Sequence, residues 1–260
     1  MTKATVVSML AALAMGCSTN VTTASSSEEL TTAGKLKTAA LGVDTNNATL
    51  DIGFAQSQGI GFVGRYISFD GTHPALTAEE AQRFHDAKMP LILIWEIDQK
   101  RAFQEGSMSG QEGLGAQDGA AAQAALQQVG AYGQVIYFTV DYDVTDTVWN
   151  TTLTDSKTGN TITIGDLVAA YFKGVNSVIG AARTGAYATY VVLHQLFDAG
   201  RIAFGWQQTF NKHANDPREK RAQLRQYAFA NDTTGWNVGG AGALDYDRAV
   251  HAKFGQWVTW

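Results

Sequence analysis

Hydrophobic residues recur along this chain at two periods, one near two and one near 3.6, and the switches between them predict its elements. Leu41-Gly42-Val43-Asp44 reads as a short strand ending in an acid, and residues 50–58 follow as a helix. Gly61 to Ile67 is a second strand. Thr77-Ala78-Glu79-Glu80 has the form of a capping box, in which Thr77 and Glu80 satisfy each other's backbone amides, and it opens a helix to about Lys88. Leu91-Ile92-Leu93-Ile94-Trp95-Glu96 is apolar up to its final acid, as in a parallel-sheet strand buried on both faces. A Gly- and Ala-rich helical segment from about Leu114 to Val129 leads into the strand Gln134–Asp143. Ile164, Leu167, Val168, Tyr171, Val175, Val178 and Ile179 then fall on one helical face. Residues 185–190, 203–208 and 222–227 read as further strands, and a last one ends at Asp247. Eight β-then-α units predict an α/β fold, a single TIM-like (β/α)8 barrel, with an open doubly wound sheet as the runner-up.

Ahead of this domain the pattern changes. Lys3 precedes an apolar run from Ala4 to Gly16, too short to span a bilayer and suited to a signal peptide, and the sole cysteine, Cys17, follows it. Residues 1–17 thus read as a lipoprotein-like signal in which Cys17 is lipidated, with plain secretion as the alternative. Residues 18–38 are polar and lack periodicity, as in a flexible tether, leaving residues 39–260 as one domain. The expected location is outside the cytoplasm, with membrane contact only through the lipid anchor. The net charge of -5, with its scattered Lys and Arg, excludes a nucleic-acid surface built on a basic stripe. A monomer is expected.

The candidate chemistry lies at the strand ends. Asp141 and Asp143 are two apart, so an extended chain would point both the same way, as paired carboxylates for acid/base work on one bond. A solvated strand end whose second Asp caps a loop is the plainer alternative. Asp44, Arg65, Glu96, Gln207, Gln226 and Asp245 also fall at or near predicted strand ends, where barrel enzymes build their sites. Tyr66, Trp95, Trp149, Trp206 and Trp236 stand at that level or in adjacent loops and could stack on sugar rings; ordinary packing is the alternative for each Trp. No cofactor or metal is expected. The five histidines lack paired metal spacing, and the dinucleotide-like Gly59-Ile60-Gly61-Phe62-Val63-Gly64 enters a strand when it should leave one.

Taken together, Leu41-Gly42-Val43-Asp44, Phe62-Val63-Gly64-Arg65-Tyr66, Ile136 through Asp143, Gly205-Trp206-Gln207 and Arg225-Gln226-Tyr227 resemble the glycoside-hydrolase-like domain called domain-of-unknown-function family 1906. That family is similar to the glycoside hydrolase family 25 lysozymes, barrels that cleave peptidoglycan glycan. The resemblance implies a catalytic set of Asp44, Asp141 and Asp143, with Asp143 standing where the lysozymes carry a Glu. Glu96 could supply the acid from the neighbouring strand. It also implies a polysaccharide or peptidoglycan partner, bound through Arg65, Tyr66, the tryptophans, Gln207, Gln226 and Asp245. Three functions follow: a cell-wall glycoside hydrolase, a non-catalytic glycan-binding module on the same scaffold, or an enzyme on another substrate, since barrels host many chemistries.

Overall fold

The computed structural model describes residues 40–46, 48–68, 74–208, 217–229 and 244–258. The expected signal segment, Cys17, the tether and Trp236 lie outside the described residues. Among those described, no helix is long and apolar enough to cross a membrane.

The chain runs β1 (Leu41–Thr45), α1 (Ile52–Ser57), β2 (Ile60–Tyr66), α2 (Ala78–Asp86), β3 (Leu91–Trp95), α3 (Met108–Gln128) and β4 (Ile136–Thr139). It continues through α4 (Asp146–Trp149), a hairpin of β5 (Thr152–Thr154) and β6 (Thr161–Thr163), α5 (Ile164–Val178), β7 (Thr184–Ala188), α6 (Tyr190–Asp198), β8 (Phe204–Gln207), β9 (Leu224–Phe229) and β10 (Asp245–Ala249). Eight strands close a barrel in the order β1-β10-β9-β8-β7-β4-β3-β2. The barrel expectation holds, with one correction. The final strand, β10, is antiparallel to both neighbours, so the wall is not all-parallel. Its first residue, Asp245, pairs with Asp44 near the end of β1, and its reversed direction therefore puts the start of β10 at the mouth.

Two apolar layers follow from the period of two. One set of alternate residues fills the barrel: Phe62, Ile92, Ile94, Tyr137, Tyr187, Trp206 and Leu224. The other set faces the helices: Val43, Val63, Leu91, Leu93, Trp95, Ile136 and Phe138 pack with Phe84, Leu126, Tyr171, Phe172 and Leu193. Opposite the mouth, Phe254 plugs the barrel, its ring 5.0 Å from Phe62 and its carbonyl accepting from the Tyr137 hydroxyl at 2.8 Å.

The capping box at α2 is only half formed. Thr77 caps Glu80 as expected, but the Glu80 side chain turns away to a buried ion pair with Arg65. The full reciprocal box occurs instead at α5, between Thr163 and Asp166. Helices α3 and α5 approach closely because both carry glycine at the crossing. A Cβ on Gly115 would lie 2.0 Å from the Tyr171 carbonyl oxygen, and one on Gly174 2.0 Å from that of Glu112, far inside van der Waals contact. The hairpin β5–β6, inserted after α4, has no counterpart in the predicted elements.

Candidate active site

The mouth is built by residues that continue the inward-facing rows. Asp44 extends the row of Gly42 on β1, Tyr66 that of Phe62 and Gly64 on β2, and Glu96 that of Ile92 and Ile94 on β3. Asp141 follows Tyr137 and Thr139, while β7, β9 and β10 contribute Tyr187, Gln226, Asp245 and Asp247. Gly64 makes room for them: a Cβ there would stand 2.8 Å from Asp44 Cβ and 3.0 Å from the Trp206 ring.

Hydrogen bonds order this set into two chains. Tyr66 donates to Asp44 Oδ1 at 3.3 Å, and Trp206 Nε1 donates to Asp247 Oδ1 at 2.8 Å. On the other side, the Tyr187 hydroxyl donates to Gln226 Oε1 at 2.9 Å, and Gln226 Nε2 donates to Asp245 Oδ2 at 2.9 Å. A third device steadies the segment bearing Asp141. Gln208, buried just past β8, donates to the carbonyls of Val140 and Tyr142 at 3.2 Å each.

Burial and repulsion together decide the protonation of the site. Asp44 is pushed well above the usual carboxylate range, first by burial and then by the charge of Asp245. Asp247 is pushed up in the same way, by burial and then by Asp44. Burial also raises Asp141. Tyr66 and Tyr187 rise well above the usual phenol range through burial, with the acids adding to it: Asp44 and Glu96 act on Tyr66, and Asp141 and Asp44 on Tyr187. Both phenols therefore keep their protons and serve as donors. The mouth is an acidic, partly desolvated site whose raised carboxyls hold their protons more tightly than ordinary acids, with the neutral phenols steadying Asp44 and Gln226.

The structure gathers some of the sequence candidates and disperses others. Asp44, Tyr66, Glu96, Asp141, Gln226 and Asp245 come together, with Trp206 buried beneath them as the floor and not as an open stacking face. Arg65 does not join them. It faces outward from β2, fully buried, with Nε 2.6 Å from Glu80 and Nη1 donating to the Thr45 carbonyl at 2.9 Å. Trp95 also faces outward, into the helix-side core. Gln207 is buried on that side too, donating to the Pro217 carbonyl at 3.0 Å and accepting from Glu219 N at 2.8 Å, which fastens the approach to β9. Trp149 packs onto Gly165 in the first turn of α5. β4 ends at Thr139 and the chain bends at Tyr142, so no strand carries Asp141 and Asp143 on a shared face; Asp143 is exposed while Asp141 is half-buried. Asp247, Tyr187 and Gln208 are additions that the sequence reading left out of the site. Asp247 was legible, since it stands two residues from Asp245 as Asp143 does from Asp141. Among the described residues, no group of three His, Cys, Asp or Glu is arranged to hold a metal ion.

Comparison with known proteins bears on this arrangement. The sequence pattern of the Rv2525c-like, glycoside hydrolase-like domain matches residues 54–251, most of the chain. The chain belongs to this family. The resemblance seen in the motifs is thereby borne out. Within the glycoside hydrolase-like fold, a crystal structure of the Mycobacterium tuberculosis Tat-secreted protein Rv2525c, in complex with L-tartrate, superposes with a TM-score of 0.66 at 18% identity, covering 84% of this chain and 98% of that one. An uncharacterised B. stearothermophilus protein gives 0.52 at 15% identity, over 80% and 95%. The modular autolysin LytC from Streptococcus pneumoniae gives 0.50 at 12% identity, over 81% of this chain and 46% of that one. No curated relative matches the sequence.

Proposed function

We propose that this glycoside hydrolase-like domain hydrolyses a glycosidic bond in a cell-wall glycan, with peptidoglycan as the substrate class. The observation that carries the reading is Asp141: a half-buried carboxyl raised by desolvation, at a barrel mouth that also holds Asp44, Glu96 and Asp245. Such hydrolysis requires one carboxyl that keeps its proton and a second that is ionised. Asp141 gives its proton to the departing glycosidic oxygen as the C–O bond breaks. A water molecule adds at the anomeric carbon, and a carboxylate takes its proton; Glu96 fills that role, with Asp143 on the rim as the other candidate. Asp44 and Asp245 hold the sugar, the latter fixed by Gln226. Tyr66 and Tyr187 remain neutral under the same acids, and their hydroxyl protons hold Asp44 and Gln226 in place.

Family membership supports glycan chemistry, and the likeness to an autolysin and to a Tat-secreted protein supports export to the cell envelope. Export through residues 1–17 and lipidation at Cys17 complete the proposal. Replacing Cys17→Ser should then move the protein from the membrane fraction to the soluble fraction, and unchanged partitioning would refute the anchor. The test of chemistry is release of reducing ends from purified peptidoglycan, run beside a pull-down on the same insoluble glycan. Cleavage by the wild type that is lost in Asp141→Asn supports the enzyme. Binding without cleavage by the wild type makes the domain a glycan-binding module.

A further inference from the structure

At the base of the mouth, Asp44 and Asp247 are neighbours on the inner face of β1 and β10, where the register pairs Asp44 with Asp245 and Gly42 with Asp247, and each carboxyl acts on the other. Two carboxylates offer only acceptor oxygens, so a hydrogen bond between two carboxyl groups requires a proton on one of them. The remaining geometry agrees. Oδ1 of Asp44 accepts from Tyr66 and Oδ1 of Asp247 from Trp206, while Oδ2 of each is buried with no conventional donor in reach. Both side chains are buried, Asp247 at 0% exposure and Asp44 at 7%. Solvent therefore cannot stabilise a second charge at this depth.

Among the described residues, the groups that act most strongly on the pair supply no countercharge. Asp44 is faced by Asp245 and Asp247 from β10, by Glu96 beyond β3 and by Tyr66 from β2. Asp247 is faced by Asp44 from β1, by Asp245 on its own strand, by Trp206 from β8 and by Tyr187 from β7. None of these groups is a cation. Two ionised carboxylates placed as neighbours, with further acids beside them, would repel one another in a medium that screens poorly.

We propose that Asp44 and Asp247 hold a single proton between them at neutral pH, and that Asp247 is a positioning residue that fixes the Asp44 carboxyl for the hydrolysis proposed above. The pair then carries one negative charge where two acids stand. One consequence is orientation, because Asp44 is held from below by Asp247 and from the side by Tyr66, leaving it one fixed plane toward the substrate. The other is charge. The field that the pair sets at Asp141 and Glu96 is halved, which keeps those two carboxyls free to differ in protonation, as acid/base chemistry needs.

Infrared difference spectroscopy on the full chain with isotope-labelled aspartate reads the shared proton directly and needs no substrate. Recorded in an Asp141→Asn background, so that the proton of Asp141 adds no band to the wild-type pair or to either variant, the spectrum should show a protonated-carboxyl stretch at neutral pH that shifts in heavy water. In that background the stretch should be lost in Asp247→Asn and equally in Asp44→Asn, where the new amide donates to the surviving acid, which ionises. If one variant fails to fold, the other carries the comparison. A spectrum of the intact pair without a protonated carboxyl at neutral pH overturns the proposal, and so does a band that both variants retain. The band together with a wild type that never cleaves glycan keeps the shared proton and sinks the hydrolase reading, so the two failures are separable.

Discussion

On the outer face of β2, Arg65 meets Glu80 at 2.6 Å with both side chains buried; on the inner face of the adjacent β1, Asp44 meets another acid. Outside, the buried charges of Arg65, Asp118 and Glu219 have opposite partners. Arg101 holds Asp118 at 2.8 Å, and Arg221 holds Glu219 at 2.8 Å and Asp198 at 2.6 Å. Inside, Asp44, Asp245, Asp247, Glu96 and Asp141 share the mouth with tyrosines and a tryptophan, and the groups that act most strongly on Asp44 and Asp247 are other acids and the donors Tyr66 and Trp206. The outer arrangement fastens helices and connections to the wall, since Arg65 ties β2 to α2 and Arg221 ties the approach to β9 to α6. The inner one contributes nothing comparable to stability. Carboxyls raised together by burial and by one another are the mark of a site kept for chemistry.

Breaking an outer pair should produce the largest stability effect. Glu80→Ala strands the Arg65 guanidinium in the wall and should cost about 3–5 kcal/mol, read from the urea midpoint. Replacing both partners with apolar residues of similar volume should recover most of that loss, because the stranded charge is then gone. An intermediate effect is expected at the floor of the mouth. Trp206→Phe keeps the ring but removes the Nε1 donor to Asp247, which should cost about 1–3 kcal/mol. The smallest effect is expected for Asp141→Asn, which should leave stability at neutral pH within about 1 kcal/mol of wild type or slightly above it. The amide there replaces a carboxyl that resists ionisation.

The pH dependence sharpens the contrast, because the two regions have opposite signs. Asp44, Asp247 and Asp141 sit above their unfolded values near 3.9, so the folded state holds extra protons and stability falls as pH rises through that window. Glu219 and Asp155 are held down to about 2, the first by Arg221 and the second by the amide of Met108, so their contribution is present above the unfolded value and is lost as pH falls toward 2. Unfolding midpoints followed from acid to neutral pH should therefore rise and then decline. Asp247→Asn should flatten the decline and leave the acid limb unchanged.

How much of this could be read in advance depends on the geometry of a strand. Strand positions and the acids at their ends were legible, because the apolar runs 41–43, 91–95 and 136–140 stop at Asp44, Glu96 and Asp141. Which neighbour faces the mouth was equally encoded, since adjacent strand residues point to opposite faces. Of Arg65 and Tyr66 only one can enter, and of Trp95 and Glu96 likewise; Tyr66 and Glu96 do. The same rule puts Trp206 inside and Gln207 outside. Three features were not legible. The antiparallel sense of β10 depends on how the chain returns to close the ring, which periodicity does not record. The bend at Tyr142 that separates Asp141 from Asp143 is fixed by Gln208, a contact 66 residues away. Glu80 reads locally as a cap, and only the fold brings Arg65 to it.

The central claim is that the acidic mouth performs acid/base chemistry, and one paired measurement tests it most directly. Wild type and Asp141→Asn should be compared for reducing-end release from purified peptidoglycan, with thermal unfolding recorded on the same preparations. The variant should keep the wild-type melting temperature and lose cleavage about a hundred- to ten-thousand-fold, the usual worth of a general acid. Cleavage that persists at the wild-type rate in a folded Asp141→Asn protein would contradict the claim.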